Sequence, residues 1–567
     1  MKIIHQFIED LAAGRKKGLW AILLLTCLVF SNIFGNDFVM DDNDFILFWP
    51  LIQDLNNFPA FFGPNNQPPG EDGIYSPLKI LWHALIYHVC GSSAAGYHLI
   101  SLMINLTAIL LVYRIVLFIT KENLIAFLST LLFAVHPTRA ESITFMTASI
   151  DMLGIVFLFA SFYLYLAAAS GKEMLSRGRY LWSLGFAALA IFSYELALSL
   201  PFLILFYGVF FSSEQKPSAR RIAYAAPYFA IAVVYAWLKW SMAGGLFRGG
   251  YVEGSFYTTM MIMIKALAQY VLISLWPITL VTNHELAPGI FSFGFEDFHR
   301  YAVLTQTLRD SQTVFSLFLI VILIYSACAL YREHPMISLG IGWFFISLLP
   351  VMNIVPSGIL FGERYLYPGS LGFSLIMAYL FSKWIDREGI KKKERYRNIV
   401  AGIFVALVAF YGLRTWLRNQ DWKDELTFFK KEAETTSQSA LMNTNLGIVY
   451  TQYDMPEKAL ESFAKALKLK PDDPAIYFSQ GKAYVQLKDF KSASMSYRSA
   501  IQLQPEYPEA YYNLTGALGM LGDMAAARRA LAKAAEQYRA LGNEEDAQMA
   551  ERNFKTYFED KDKNKDK

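Results

Sequence analysis

Apolar runs of roughly 18 or more residues, long enough to cross a hydrocarbon core as helices, recur along the first three quarters of the chain and then stop. The pattern predicts spans at about 19–35, 98–119, 124–136, 151–169, 180–194, 196–211, 222–241, 313–331, 336–353, 365–384 and 398–415. The stretch from Tyr75 to Val89 is too short and too marked by His and Trp for a span, and reads as a helix along the membrane interface. Arg15, Lys16 and Lys17 flank the first run, which continues without a small-residue cleavage pattern and so reads as an uncleaved first span. Basic residues favour the cytoplasmic side, which places the N-terminus there. Further basic loops hold Lys172, Arg177 and Arg179, then Lys216, Arg220 and Arg221, and then seven cations from Lys383 to Arg397. Eleven spans keep all of them inside, provided that the ambiguous apolar segment 258–281 does not cross. Residues 242–312 therefore read as a second large external loop holding an interfacial or re-entrant helix, beside the first at 36–97. The C-terminal part then lies outside, with the first external loop.

From Ala440 the pattern changes to a repeat of 34 residues. Gly447, Tyr450, Ala459, Phe463, Ala466 and Pro471 recur as Gly481, Tyr484, Ala493, Tyr497, Ala500 and Pro505, and in part as Leu514, Thr515, Ala527, Leu531 and Ala534. This resembles the tetratricopeptide pattern, in which small residues let two helices of a hairpin approach closely. About three repeats are expected, with Glu536 to Phe558 as a capping helix and a charged, disordered tail at 559–567. The fold class is all-α: a polytopic membrane domain over 1–418, a linker helix over 419–439, and a soluble α-solenoid over 440–558.

Composition agrees: 54% apolar, 17% charged and a mean hydropathy of +0.30. A net charge of +3 gives no reason to expect nucleic acid. The three cysteines, Cys27, Cys90 and Cys328, include two inside apolar runs and make no disulfide framework.

The chemistry gathers at one membrane face. Asp41, Asp42 and Asp44 follow the first span; His136, Arg139 and Glu141 follow the third; Asp151 opens the fourth, and Glu363-Arg364-Tyr365 the tenth. His284 and Glu285 lie in the second external loop. Each alone fits a satisfied interfacial residue. Together they describe a polar site with a carboxylate able to take a proton from a hydroxyl and an arginine able to bind phosphate in two places. No phosphate-binding glycine loop, nucleophile elbow or zinc-ligand spacing is present. A lipid phosphate, not a nucleotide, is the donor at hand on an external face.

The stretches Phe38-Val39-Met40-Asp41-Asp42, Tyr75-Ser76-Pro77-Leu78, Gly96-Tyr97-His98-Leu99, His136 to Ser142, Trp276 to Leu280, Glu363 to Pro368 and Arg418 to Trp422 carry a family likeness. With Asp151 and the repeats, the chain resembles the GT-C integral-membrane glycosyltransferases, and among them the transmembrane and tetratricopeptide-repeat-containing O-mannosyltransferases. The resemblance implies a GT-C-like membrane domain and transfer of a sugar, mannose, from a polyprenyl-phosphate carrier to an acceptor hydroxyl on a protein. It implies that Asp41 or Asp42 is the general base, with Asp42 preferred. His136, Arg139, Glu141, Asp151, Glu363 and Tyr365 would shape the donor and acceptor sites, and Arg364 would hold the lipid phosphate. No metal ligands are assigned, although a divalent metal stays open as a requirement. The repeats would present a protein acceptor or hold a partner enzyme, facing the periplasm or a lumen. Their small number favours a bacterial inner membrane over an endoplasmic reticulum membrane. Two other readings remain: a non-enzymatic scaffold that assembles envelope or secretory complexes through its repeats, and a flippase of lipid-linked sugars.

Overall fold

The computed structural model describes residues 3–64, 66, 75–169, 176–211, 219–246, 249–282, 311–356, 360–386, 394–436 and 439–556. His284 and Glu285, the 559–567 tail, and the basic residues Lys172, Lys216, Arg387 and Lys391 to Lys393 lie outside them. The described residues form helices and no strands, in two compact units that divide between Glu425 and Leu426.

Each of the eleven expected spans coincides with a helix. Some are long and apolar enough to cross by themselves, among them Arg15–Gly35, Ala94–Thr120, Met146–Ala169 and Glu394–Asp421. Asn123–Val135, Glu195–Phe210 and Pro335–Val351 are shorter apolar helices. Pro335–Leu348 and Leu366–Asp386 pack closely at Gly340 and Gly372, where a Cβ on Gly372 would lie 2.3 Å from the Gly340 carbonyl oxygen. Trp20, Trp182, Trp237, Trp240, Trp276 and Trp384 are exposed, each near an end of a helix. Such amphipathic rings favour the two membrane–water interfaces.

The segment expected to be interfacial or re-entrant is a continuous helix, Phe256–Leu275, and length and composition alone would let it cross. It bonds the connection that precedes the Leu366–Asp386 helix near both of its ends. Near its start, Tyr251 donates to the Ile354 carbonyl at 3.0 Å and Asn353 to the Met263 sulfur at 3.4 Å. Near its end, Tyr270 bonds Gly362, and the Ser274 carbonyl accepts from His136 at 2.9 Å. Residues 353, 354 and 362 all belong to the connection between Pro335–Val351 and the Leu366–Asp386 helix. The Tyr75–Val89 segment is likewise a short helix, Pro77–Cys90.

The last membrane helix runs past the expected boundary at residue 418 to Asp421. Asn419 explains why: buried in the bundle, its amide donates to the Val29 carbonyl at 3.1 Å and to Asn32 at 2.9 Å. The linker helix is correspondingly shorter than expected, Glu425–Thr435.

The second unit holds three helix hairpins, Ala440–Gln452 with Pro456–Leu469, Pro474–Gln486 with Phe490–Leu503, and Pro508–Met520 with Met524–Ala540. In the first two, glycine admits an aromatic ring: a Cβ on Gly447 or Gly481 would lie 2.5 Å from the ring of Phe463 or Tyr497. The third hairpin carries Thr515 and the smaller Leu531 at the corresponding positions of the repeat. Each hairpin turn passes through the left-handed region at Asp454, Lys488 and Gly522, with φ of 55°, 59° and 82°. The following amide then bonds back across the turn, as in Asp489 to the Tyr484 carbonyl at 3.0 Å. The third hairpin's second helix extends to Ala540, so the capping helix is Glu544–Phe554 and starts later than expected.

Candidate active site

The first loop, residues 36–49, leaves the first span with adjacent carboxylates in opposite situations. Asp41 is exposed, and its carboxylate makes no hydrogen bond or ion pair among the described residues. Asp42 is buried and accepts four hydrogen bonds. Thr147 donates its amide and its hydroxyl to Oδ1, both at 2.7 Å, and the Met146 and Val39 amides approach Oδ2 at 3.4 and 3.3 Å. Asp42 thus caps the Met146–Ala169 helix, whose first amides lack intrahelical partners and whose dipole favours a negative charge. Burial pushes its carboxyl up to about 7, while the four hydrogen bonds pull the other way. Met40, just before the pair, sits in the left-handed region at φ 57°.

One turn into the capped helix stands Asp151, paired with Lys79 Nζ at 2.9 Å. Lys79 comes from the Pro77–Cys90 helix, its ammonium also lying 5.4 Å from the centre of the Phe45 ring in the first loop. Glu141 is buried and accepts from Arg364 twice, from the backbone amide at 3.1 Å and from Nη1 at 2.9 Å. Arg364 lies 5.4 Å from the Tyr365 ring and 5.9 Å from that of Phe145. The Tyr194 hydroxyl lies within electrostatic reach of Tyr365, Asp151, Arg364 and Glu141. Glu363 faces Arg418 at 3.6 Å, both side chains 1% exposed, and Arg418 also pairs with Asp421. Lys79 and Arg364 are partly exposed, their side chains at 18% and 17%.

Two expected site residues are occupied otherwise. His136 donates from Nε2 to the Ser274 carbonyl and accepts at Nδ1 from Thr138 Oγ1 at 2.8 Å. That arrangement suits the neutral ring, and burial pulls its pKa down to about 4. Arg139 is fully buried, its guanidinium 3.2 Å from the Phe133 ring centre and 4.3 Å from that of Tyr367, with one hydrogen bond to Ser370 at 2.8 Å. Burial pulls Arg139 down to about 10, which leaves it charged at neutral pH. It serves packing between helices rather than an open surface.

Sequence reasoning missed Lys79, Thr147, Tyr194 and the Glu195–Lys239 pair at 2.6 Å, which Tyr235 joins at 2.8 Å. Lys79 directly follows a quoted stretch, and nothing in its spacing set it apart. Among the described residues no group of three or more His, Cys, Asp or Glu is arranged to hold a metal ion.

The dolichyl-phosphate-mannose-protein mannosyltransferase family model matches residues 76–240, and tetratricopeptide repeat models match 440–473 and 481–522. Protein O-mannosyl-transferase Tmtc3 of Drosophila melanogaster is 24% identical, over 82% of this chain and 55% of its own length. Human TMTC3 is 22% identical, over 80% of this chain and 50% of its own. The chain thus spans about half the length of these curated relatives. Of solved structures, ArnT from Cupriavidus metallidurans bound to undecaprenyl phosphate aligns at a TM-score of 0.37 and 12% identity, over 87% of this chain and 80% of that one. The oligosaccharyltransferase of Archaeoglobus fulgidus in the apo form aligns at 0.40 and 13%, over 81% and 60%. At these scores the likeness assigns no residue a role. Joining a mannosyltransferase-type membrane domain to tetratricopeptide repeats, the chain is similar along four fifths of its length to the protein O-mannosyl-transferases.

Proposed function

We propose that this protein is a membrane glycosyltransferase that moves mannose from a polyprenyl-phosphate carrier to a hydroxyl of a protein acceptor. Asp41 is the base. The observation that carries this reading is the division of labour within the aspartate pair: Asp42 has its lone pairs committed to the Met146–Ala169 helix, while Asp41 beside it is exposed. Asp42 is buried with its oxygens turned to donors inside the fold, so an incoming hydroxyl does not reach it, whereas the exposed Asp41 is open to one. The acceptor oxygen attacks the anomeric carbon, the bond from that carbon to the phosphate oxygen breaks, and the hydroxyl proton passes to Asp41. Polyprenyl phosphate leaves with its negative charge facing two partly exposed cations, Arg364 first and then Lys79. Glu141 holds Arg364 at its backbone amide and at Nη1, which anchors the side chain at one guanidinium nitrogen and leaves its other N–H groups for phosphate oxygens.

The site lies at the non-cytoplasmic end. Basic residues collect at the opposite end, where Arg15 bonds Asn123 at 2.9 Å and Arg397 meets Glu9 at 3.1 Å. A protein acceptor or a partner enzyme is the ligand of the repeats, and the membrane is a bacterial inner membrane. Purified protein in liposomes, given radiolabelled polyprenyl-phosphate-mannose and periplasmic extract, is expected to move label to protein, and the Asp41→Asn variant to move none. Equal transfer by that variant would sink the assignment.

A further inference from the structure

Two anchored residues follow Asp41 directly. Asp42 is fastened to the start of the Met146–Ala169 helix. Next to it, Asn43 Nδ2 donates to Glu425 Oε1 at 3.0 Å. The beginning of the loop is tied to the same stretch, because the Asp37 amide bonds the Lys423 carbonyl at 2.8 Å and Asn36 Nδ2 the Asn419 carbonyl at 2.9 Å. Between these ties Met40 holds a left-handed backbone at φ 57°. A non-glycine residue keeps such a conformation only where its surroundings over-determine it. The direction of an exposed side chain in a tight turn is set by how firmly the backbone next to it is held. The Asn43 bond adds a second hold directly after Asp42, so the backbone that carries Asp41 has less freedom to turn than Asp42 alone would leave it.

We propose that Glu425 is a positioning residue for sugar transfer, which sets the direction of the Asp41 carboxylate through Asn43. The inference rests on Asp41 being the base. Glu425 is the last residue of the first unit and opens the Glu425–Thr435 helix. Glu425 is three residues beyond Trp422, whose ring stacks on Phe145 at 5.3 Å next to the capped helix start, and this packing keeps the segment in place.

The test uses the full-length protein in liposomes with radiolabelled polyprenyl-phosphate-mannose and periplasmic extract, measuring kcat and the donor KM separately. A misplacement of about 1 Å costs on the order of 100-fold in rate. Glu425→Ala is therefore expected to lower kcat about tenfold or more with the donor KM unchanged, and Glu425→Gln, which keeps an acceptor oxygen, to recover most of that loss. Asn43→Asp sets two carboxylates against each other and should lose a similar factor. Pairing it with Glu425→Gln restores a donor and an acceptor, and should restore kcat even if Glu425→Ala fails to fold. A Glu425→Ala kcat within about twofold of wild type overturns the proposal. So does a change confined to KM, or a double variant no better than Asn43→Asp. Asp41→Asn run alongside separates the two claims: if it is inactive while Glu425 is dispensable, only the positioning role falls, and if it is fully active the base assignment falls too.

Discussion

Replacing Asp42 by alanine should destabilise the membrane unit far more than replacing Asp41, although the two are neighbours of identical chemistry. The Asp42 carboxylate accepts from the amides of Val39, Met146 and Thr147 and from the Thr147 hydroxyl. Losing a helix cap costs about 0.5–2 kcal/mol, and each buried donor left without a partner about 1–3 kcal/mol. The bonds at 3.3 and 3.4 Å are long and belong at the low end of that range. The hydroxyl can turn to another acceptor. Counting the cap once and the two long bonds at their minimum gives about 3 kcal/mol, a large part of the roughly 5–15 kcal/mol that holds a domain together. Asp41 is exposed and makes no side-chain bond among the described residues, so its alanine variant should stay within about 0.5 kcal/mol of wild type. Asp42→Asn falls between, because the amide keeps one oxygen for Thr147 and turns a donor towards the Val39 and Met146 amides. The assay is thermal unfolding of the purified protein in detergent, followed by intrinsic fluorescence, with all three variants side by side. Should Asp42→Ala melt with wild type, or Asp41→Ala melt lower than Asp42→Ala, the reading of Asp42 as the cap of the Met146–Ala169 helix is wrong.

Two further outcomes are expected. His136 lies in the turn after the Asn123–Val135 helix with a folded pKa of about 4 against an ordinary 6.5, so the unfolded chain binds more protons between those values and stability rises with pH there. Its contribution is complete above pH 6.5 and is lost as pH falls towards 4, by up to about 3 kcal/mol; a His136→Gln variant whose melting temperature falls in parallel with wild type between pH 7.5 and 4.5 would refute this. In the repeats, Lys488 holds the left-handed turn position that Gly522 fills 34 residues later. Lys488→Gly should stabilise its hairpin by a few tenths to about 1 kcal/mol and Gly522→Ala should weaken its own by about 1 kcal/mol, read as slower and faster amide exchange in 474–503 and 508–540, and both variants leaving exchange unchanged would count against it.

What could be read from the sequence was whatever repeats or runs locally. The spans follow from apolar length, and the hairpins from small residues at a period of 34, down to Gly447 and Gly481 making room for Phe463 and Tyr497. Charge bias argued against counting the 258–281 segment as a crossing, and the helix found there, Phe256–Leu275, is long and apolar enough to be one. Site membership was partly legible, since Glu141 and Arg364, 223 residues apart, do meet. Roles within the site were not. Asp41 and Asp42 are indistinguishable as letters, and what separates them is the start of a helix 105 residues further on, whose free amides claim one and leave the other to solvent. His136 was expected to help shape the donor and acceptor sites, and its ring is held by a carbonyl from the distant Ser274. Lys79 looked like nothing, because a lone lysine on an interfacial helix has no pattern until Asp151 is brought to it. Ionisable residues near a bilayer therefore announce that a polar layer exists, while long-range hydrogen bonds decide which of them are held in place and which are left open to react. Here the decision falls on a single residue step, so the experiment that separates Asp41 from Asp42 tests both the fold's account of the loop and the chemistry assigned to it.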